Sequence, residues 1–125
     1  MLKVIIMVDT NKLRERIIQE LRKVHDPEIP INVWDLGLIY ELNIDNEGNV
    51  KIKMTLTAPG CPVAYLIVEQ VKDVVSRVEG VKNVDVELVW EPPWTPKRMT
   101  PEGREMFKTI FGYDIVEYWE QHYNK

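Results

Sequence analysis

From Thr10 onward apolar residues recur at helical spacing: Leu13, Ile17, Ile18, Leu21 and Val24 share one face, while Arg14, Glu15, Gln19, Glu20 and Arg22 share the other. Asp9 or Thr10 can cap this helix. Pro27 lacks a donor and pushes Asp26 out of the helical region, so the helix should end by about Asp26. A period of two follows, first in Leu38, Tyr40, Leu42 and Ile44 and then in Val50, Ile52, Met54 and Leu56, with Lys51, Lys53, Thr55 and Thr57 on the opposite face. Asp45-Asn46-Glu47-Gly48 between them is a hairpin turn. Helical spacing returns over Pro62–Val78, with Leu66, Ile67, Val71, Val74, Val75 and Val78 as the apolar side and Gly80 as the stop. A last alternation, Val84, Val86, Leu88 and Trp90, predicts a third strand.

Helix, strand, strand, helix, strand, each with one apolar face, predicts an α+β fold, a two-layer α/β sandwich with helices on one side of a small sheet. Beyond Trp90 the chain changes character. Glu91 to Pro96 is too proline-rich for a central strand and should be extended. Thr100-Pro101-Glu102 starts a helix with Met106, Phe107, Ile110 and Phe111 on one side and Gly112 as its stop. Asp114 then caps a short amphipathic segment carrying Ile115, Val116, Trp119 and Tyr123. Residues 1–125 thus read as a single domain, with a core over about 10–98 and a C-terminal helical extension over about 99–125. Residues 2–8 read equally as an edge strand or as a start outside the core.

Composition narrows the function classes. With 45% hydrophobic and 29% charged residues the chain is an ordinary globular sequence. Its longest early apolar run, Val4–Val8, is far too short for a membrane span and lacks a small-residue cleavage site, so a cytoplasmic protein without a membrane role is expected. A net charge of −4 argues against a nucleic-acid partner bound by phosphate neutralisation.

The single cysteine, Cys61, stands in Thr57-Ala58-Pro59-Gly60-Cys61-Pro62, between strand and helix patterns. With Pro62 at the first helical position, Cys61 would be the N-cap. A helix end offers only about 0.3–1 kcal/mol to a thiolate, less than one pKa unit, so a strong nucleophile does not follow, and no enzymatic base is evident. A metal ion would deprotonate the thiol itself, and a soft thiolate suits iron-sulfur clusters, zinc or copper(I). Since a cluster takes four ligands, Cys61 would need thiols from a second subunit, a small molecule or a client. Free cysteine also simply fills space in many cores. Asp26 and Glu28 can supply hard ligands, or be two solvated acids at a helix exit. Thr57 can hydrogen-bond near the thiol, or be an ordinary strand threonine. His25 at a helix end suits the last carbonyls. Trp94, between prolines, fits an exposed partner-binding anchor.

Four linked motifs carry a resemblance: Asp26-Pro27-Glu28-Ile29-Pro30, Asp35-Leu36-Gly37-Leu38-Ile39-Tyr40, Thr57 to Pro62, and Val89-Trp90-Glu91-Pro92-Pro93-Trp94. In this order they resemble the iron-sulfur cluster assembly domain family, which includes SufT-like and PaaD-like proteins and the eukaryotic cytosolic iron-sulfur targeting subunit. The resemblance implies a small, often dimeric α/β domain that helps mature or deliver clusters. The family's cysteine falls on Cys61 and its acidic motif on Asp26 to Glu28. It implies a non-enzymatic factor that binds an iron-sulfur cluster or iron transiently through Cys61, supported by Asp26, Glu28 and Thr57. The cargo would pass to client apoproteins, with the factor acting as a homodimer among carriers and clients. A metal-free adaptor linking carriers to clients is the alternative. PaaD-type C-terminal cysteines are missing, and so is a P-loop, which sets the chain apart from that branch and from the carrier ATPases.

Overall fold

The structure is a computed structural model that describes residues 9–26, 29–57 and 64–122. Along the chain run α1 (Thr10–Leu21), β1 (Ile39–Ile44), β2 (Asn49–Met54), α2 (Ala64–Ser76), β3 (Asn83–Leu88), a 3-10 turn (Pro96–Arg98), α3 (Pro101–Phe111) and α4 (Ile115–His122). The strand order is β1-β2-β3. β1 and β2 pair antiparallel through the Asp45–Gly48 turn, and β2 and β3 pair parallel from Asn49↔Asn83 to Met54↔Leu88. A parallel pair needs a crossover, and α2 supplies it while packing on β3 and on α1. The expected two-layer α+β sandwich is therefore the observed fold.

Its core joins Leu13, Ile17 and Leu21 of α1 to Val50, Ile52 and Met54 of β2 and to Ile67, Val71 and Val75 of α2, all buried. Asp9 caps α1, accepting from the N–H groups of Asn11 and Lys12. In the hairpin turn the Asp45 carboxylate accepts from Glu47, from the Asn49 backbone and from the Asn49 side chain. Those bonds, the Asn49 side chain first, hold its carboxyl below the usual range.

Several expectations need correcting. Helix α1 ends at Leu21, within the expected limit of about Asp26, but Val24, expected on its apolar face, lies beyond it because the chain folds back: Val33 N–H donates to the Val24 carbonyl and Asp26 N–H to that of Ile31. This return buries Ile31, Val33 and Leu36, a part of the core with no periodicity to announce it. In β1 the register shifts between Ile39 and Glu41. The irregularity falls at Tyr40, leaving it half-buried while Leu38 and Leu42 keep the core face. Thr55, expected on the polar face, is buried, with its N–H bonded to the Leu38 carbonyl. Helix α2 ends at Ser76 rather than Val78, and Leu66, expected on its apolar side, is 65% exposed. β3 stops at Leu88, so Trp90 is exposed beyond it.

The extension folds against the core. Thr100 caps α3, accepting from Gly103 N–H at 3.0 Å, and Gly112 ends it at φ 85°. Asp114 caps α4 through Val116 N–H at 2.9 Å. Phe107 and Met99 join the core, but Ile110 and Phe111, expected beside Phe107 on the inner face of α3, remain exposed.

Candidate functional site

The site expected from the sequence is only partly within the described residues. Cys61, with its expected place as a helix N-cap, lies outside them, as do Glu28, the start of the 62–78 helix, Tyr123 and the 2–8 segment. Asp26 and Thr57 are described. Asp26 is not the solvated acid of a helix exit: it is 5% exposed, and its carboxylate accepts from Ile29 N–H at 3.0 Å. A carboxylate taken from water costs several kcal/mol unless hydrogen bonds replace the solvent, so such a group is held in a fixed place. Thr57 is half-buried just past the end of β2. On the far side of the Cys61 segment, Ala64 is buried in the core, whereas Tyr65 and Leu66 are 78% and 65% exposed. Among the described residues no three or more His, Cys, Asp or Glu side chains gather where they could share a metal ion. His25 Nδ1 lies 3.1 Å from the Lys23 carbonyl, in keeping with its expected use of free carbonyls after the helix.

Trp94 is half-buried rather than exposed. Its indole Nε1 donates to the Leu36 carbonyl at 2.6 Å and its ring packs on the core, so only part of its surface is open to a partner.

A second cluster was not foreseen. Asp35, which opens the second of the four linked motifs, is 3% exposed. Its Oδ2 accepts from Asn32 Nδ2 at 2.7 Å, its Oδ1 accepts from the Thr100 hydroxyl at 2.6 Å, and Arg22 Nε lies 3.4 Å from Oδ2. Backbone bonds reinforce it: Asp35 N–H donates to Asn32 Oδ1 at 2.8 Å and Thr100 N–H to the Asp35 carbonyl at 2.9 Å. One carboxylate thus ties the loop after α1 to the cap of α3. Asn32 three residues before Asp35 was the available signal, but the partner Thr100 is 65 residues away and no local pattern points to it.

Tyr40 joins another pair of distant motifs. Its hydroxyl donates to the Pro92 carbonyl at 2.7 Å, and the Arg98 guanidinium lies 4.3 Å from its ring centroid. Burial pushes its phenol above the usual value, against the lowering pull of Arg98 and of a hydrogen bond with Thr55. A raised folded-state pKa gives stability that is complete below about pH 10, the unfolded value, and is lost as pH rises from there through the folded value. Tyr40→Phe should therefore flatten the alkaline fall in stability, and should cost about 0.5–1 kcal/mol at neutral pH for the lost bond to Pro92. Urea unfolding at pH 7 and pH 10.5 checks both, and an unchanged alkaline fall would count against the assignment.

The sandwich thus buries Asp26 of the acidic motif and leads through Thr57 from the end of β2 to the cysteine segment. Residues 14–88 match the iron-sulfur cluster assembly protein family. The chain belongs to that family. An Fe-S protein maturation auxiliary factor of Porphyromonas gingivalis is 50% identical over 89 residues, covering 71% of this chain and 85% of that protein. The Fe-S protein maturation auxiliary factor SufT of Staphylococcus aureus is 43% identical over 77 residues, 62% of this chain and 88% of its own. The crystal structure of a domain of unknown function from Bacillus anthracis matches with a TM-score of 0.70 at 36% identity, covering 77% of this chain and 92% of that one. The assembly-family match contains Asp26, Asp35, Tyr40 and Cys61 and stops at residue 88, so Trp94, α3 and α4 lie beyond it. Among the described residues no helix is long and apolar enough to cross a membrane.

Proposed function

We propose that the protein is an auxiliary factor in the maturation of iron-sulfur proteins, and that its cargo, a cluster or iron, is held transiently by Cys61. The observation carrying this reading is that the assembly-family match spans Cys61 and the acidic motif together. The relatives named as maturation factors support the role in assembly. Buried Asp26, with Glu28 and Thr57, would shape the ground around the thiolate. One thiolate leaves most positions of a cluster open, so the remaining ligands come from a second copy of the chain, a small thiol or the recipient. Incomplete ligation favours release, which a delivery factor needs and a storage site does not. The role is non-catalytic, in the cytoplasm, among carriers and client apoproteins, with a homodimer bringing two Cys61 thiolates together.

Anaerobic reconstitution with iron and sulfide tests it. Wild type should retain both and show the visible absorbance of a cluster, while Cys61→Ser should lose most of the iron. Equal iron and sulfide in the two proteins would remove Cys61 as the ligand.

A second reading is favoured by Tyr65 and Leu66, which stand exposed just after the Cys61 segment. In it the protein is a metal-free adaptor that contacts clients or carriers through this surface and through the open part of Trp94. Client copurification that persists under chelation and fails in Leu66→Glu or Trp94→Ala would select the adaptor.

A further inference from the structure

The extension beyond the family match leaves a surface that the core does not use. Ile110, Phe111, Tyr113 and Tyr118 are between 43% and 50% exposed. They are not scattered. Phe111 packs on Phe107 with ring centroids 4.4 Å apart, Phe107 on Tyr113 at 5.5 Å, Tyr113 on Tyr118 at 5.7 Å, and Tyr118 on His122 at 4.1 Å. A chain of ring contacts therefore runs from α3 along α4, with the buried Phe107 joining Phe111 to Tyr113. Rings already fixed against each other lose little freedom when a partner lands on them, and contiguous apolar surface of this kind marks contact sites.

Beside these rings is a groove of about 280 Å³ lined by Tyr113, Asp114, Glu117, Tyr118 and Gln121. Its charge is one-sided. Asp114 is committed, with Oδ2 on Arg104 at 2.9 Å and Oδ1 on the α4 backbone. Glu117 has no lysine or arginine partner among the described residues. The groove thus offers two tyrosine rings and an uncompensated carboxylate, a combination complementary to a cation with a flat or apolar body.

We propose that the α3–α4 extension is a docking surface for a partner segment that presents an arginine between aliphatic side chains. The guanidinium would lie against Tyr113 or Tyr118 while its N–H groups reach Glu117, and the flanking aliphatic groups would cover Phe111 and Ile110. Arginine suits the groove better than lysine because a planar guanidinium can stack on a ring and donate at its edge at once. The chain itself contains the stacking half of this geometry, with Arg98 on the ring of Tyr40. This surface uses no residue of the cysteine segment, and the proposal does not depend on how Cys61 is used.

The test titrates an acetylated, amidated leucyl-arginyl-leucine tripeptide into the full chain and follows backbone amide and tyrosine ring resonances by NMR. A citrulline counterpart, equal in shape and uncharged, is the control. The arginine peptide should bind in roughly the millimolar range, shifting Glu117, Tyr118 and Gln121, and should bind about three- to fivefold more tightly than the citrulline peptide. Glu117→Gln should remove that advantage, and Tyr118→Leu should weaken both peptides. Equal binding of the two peptides by wild type, shifts confined to other surfaces, or no shifts would overturn the proposal. So would a self-association of the chain that buries this face and is lost in Tyr118→Leu, since the occupant would then be a second copy.

Discussion

Asp35→Ala is expected to lower the stability of the protein by about 3 kcal/mol in urea unfolding, among the largest effects of any single side-chain truncation outside the apolar core. The carboxylate is buried and accepts from Asn32 and Thr100 through different oxygens. Removing it leaves the buried Asn32 amide and the half-buried Thr100 hydroxyl without their acceptor. The ion pair with Arg22 contributes little of this, because the arginine side chain is 45% exposed and the contact is 3.4 Å long, so Arg22→Ala should cost less than about 1 kcal/mol. Asp35→Asn should fall between the two. Its carbonyl oxygen can still accept from Asn32 Nδ2, and its amide nitrogen can donate to the Thr100 oxygen if the hydroxyl turns, so both contacts persist but without the charge that strengthens them. The loss should also be local at first, with amide protons of α3 exchanging faster than those of β2. A cost below about 1 kcal/mol for Asp35→Ala would show that the carboxylate is not what fastens the extension.

The contrast between Asp35 and the regular elements shows what a sequence discloses. Each strand and each helix of the sandwich follows from short-range periodicity, because one face of each meets the same core. Ile17 four residues from both Leu13 and Leu21, or Ile52 two from Val50 and Met54, is enough to place the element and its buried side. The misplacements fall where a long-range partner decides. Tyr40 leaves its row because its hydroxyl meets Pro92, and Trp94 is drawn in by the Leu36 carbonyl. Leu66 and Phe111 have the right spacing for burial, but their neighbours in the fold stop short of covering them. Of the two readings of Asp26, a site acid or a solvated acid at a helix exit, the second fails because the return of the chain through Ile31 and Val33 encloses it. Cys61 is legible as candidate chemistry, since residue type and the Pro-Gly-Cys-Pro setting depend on no distant contact, whereas the burial of Asp26 depends on the return of the chain and no local pattern announces it.

The same long-range docking predicts an ordered series of glycine-to-alanine effects. In an exposed helix interior such a change normally stabilises by about 1 kcal/mol. At Gly103, in the first turn of α3, the added Cβ would overlap the Asp35 carbonyl, which is backbone and is held by its bond from Thr100 N–H. The sign should therefore reverse, to a loss of about 1–3 kcal/mol. Gly37 carries two penalties together. Its φ of 76° is unfavourable for any side chain, and its Cβ would overlap the Arg98 carbonyl. Strain and overlap together should cost roughly 2–5 kcal/mol. Gly112 isolates the first of these, since at φ 85° its Cβ would meet nothing within 4 Å, and Gly112→Ala should cost about 1–2 kcal/mol. Urea midpoints at constant m-value give the ranking Gly37, Gly103, Gly112 from most to least damaging. A stabilising Gly103→Ala would mean that α3 can lift from the Asp35 turn at little cost, and that the extension is carried by the core rather than built into it.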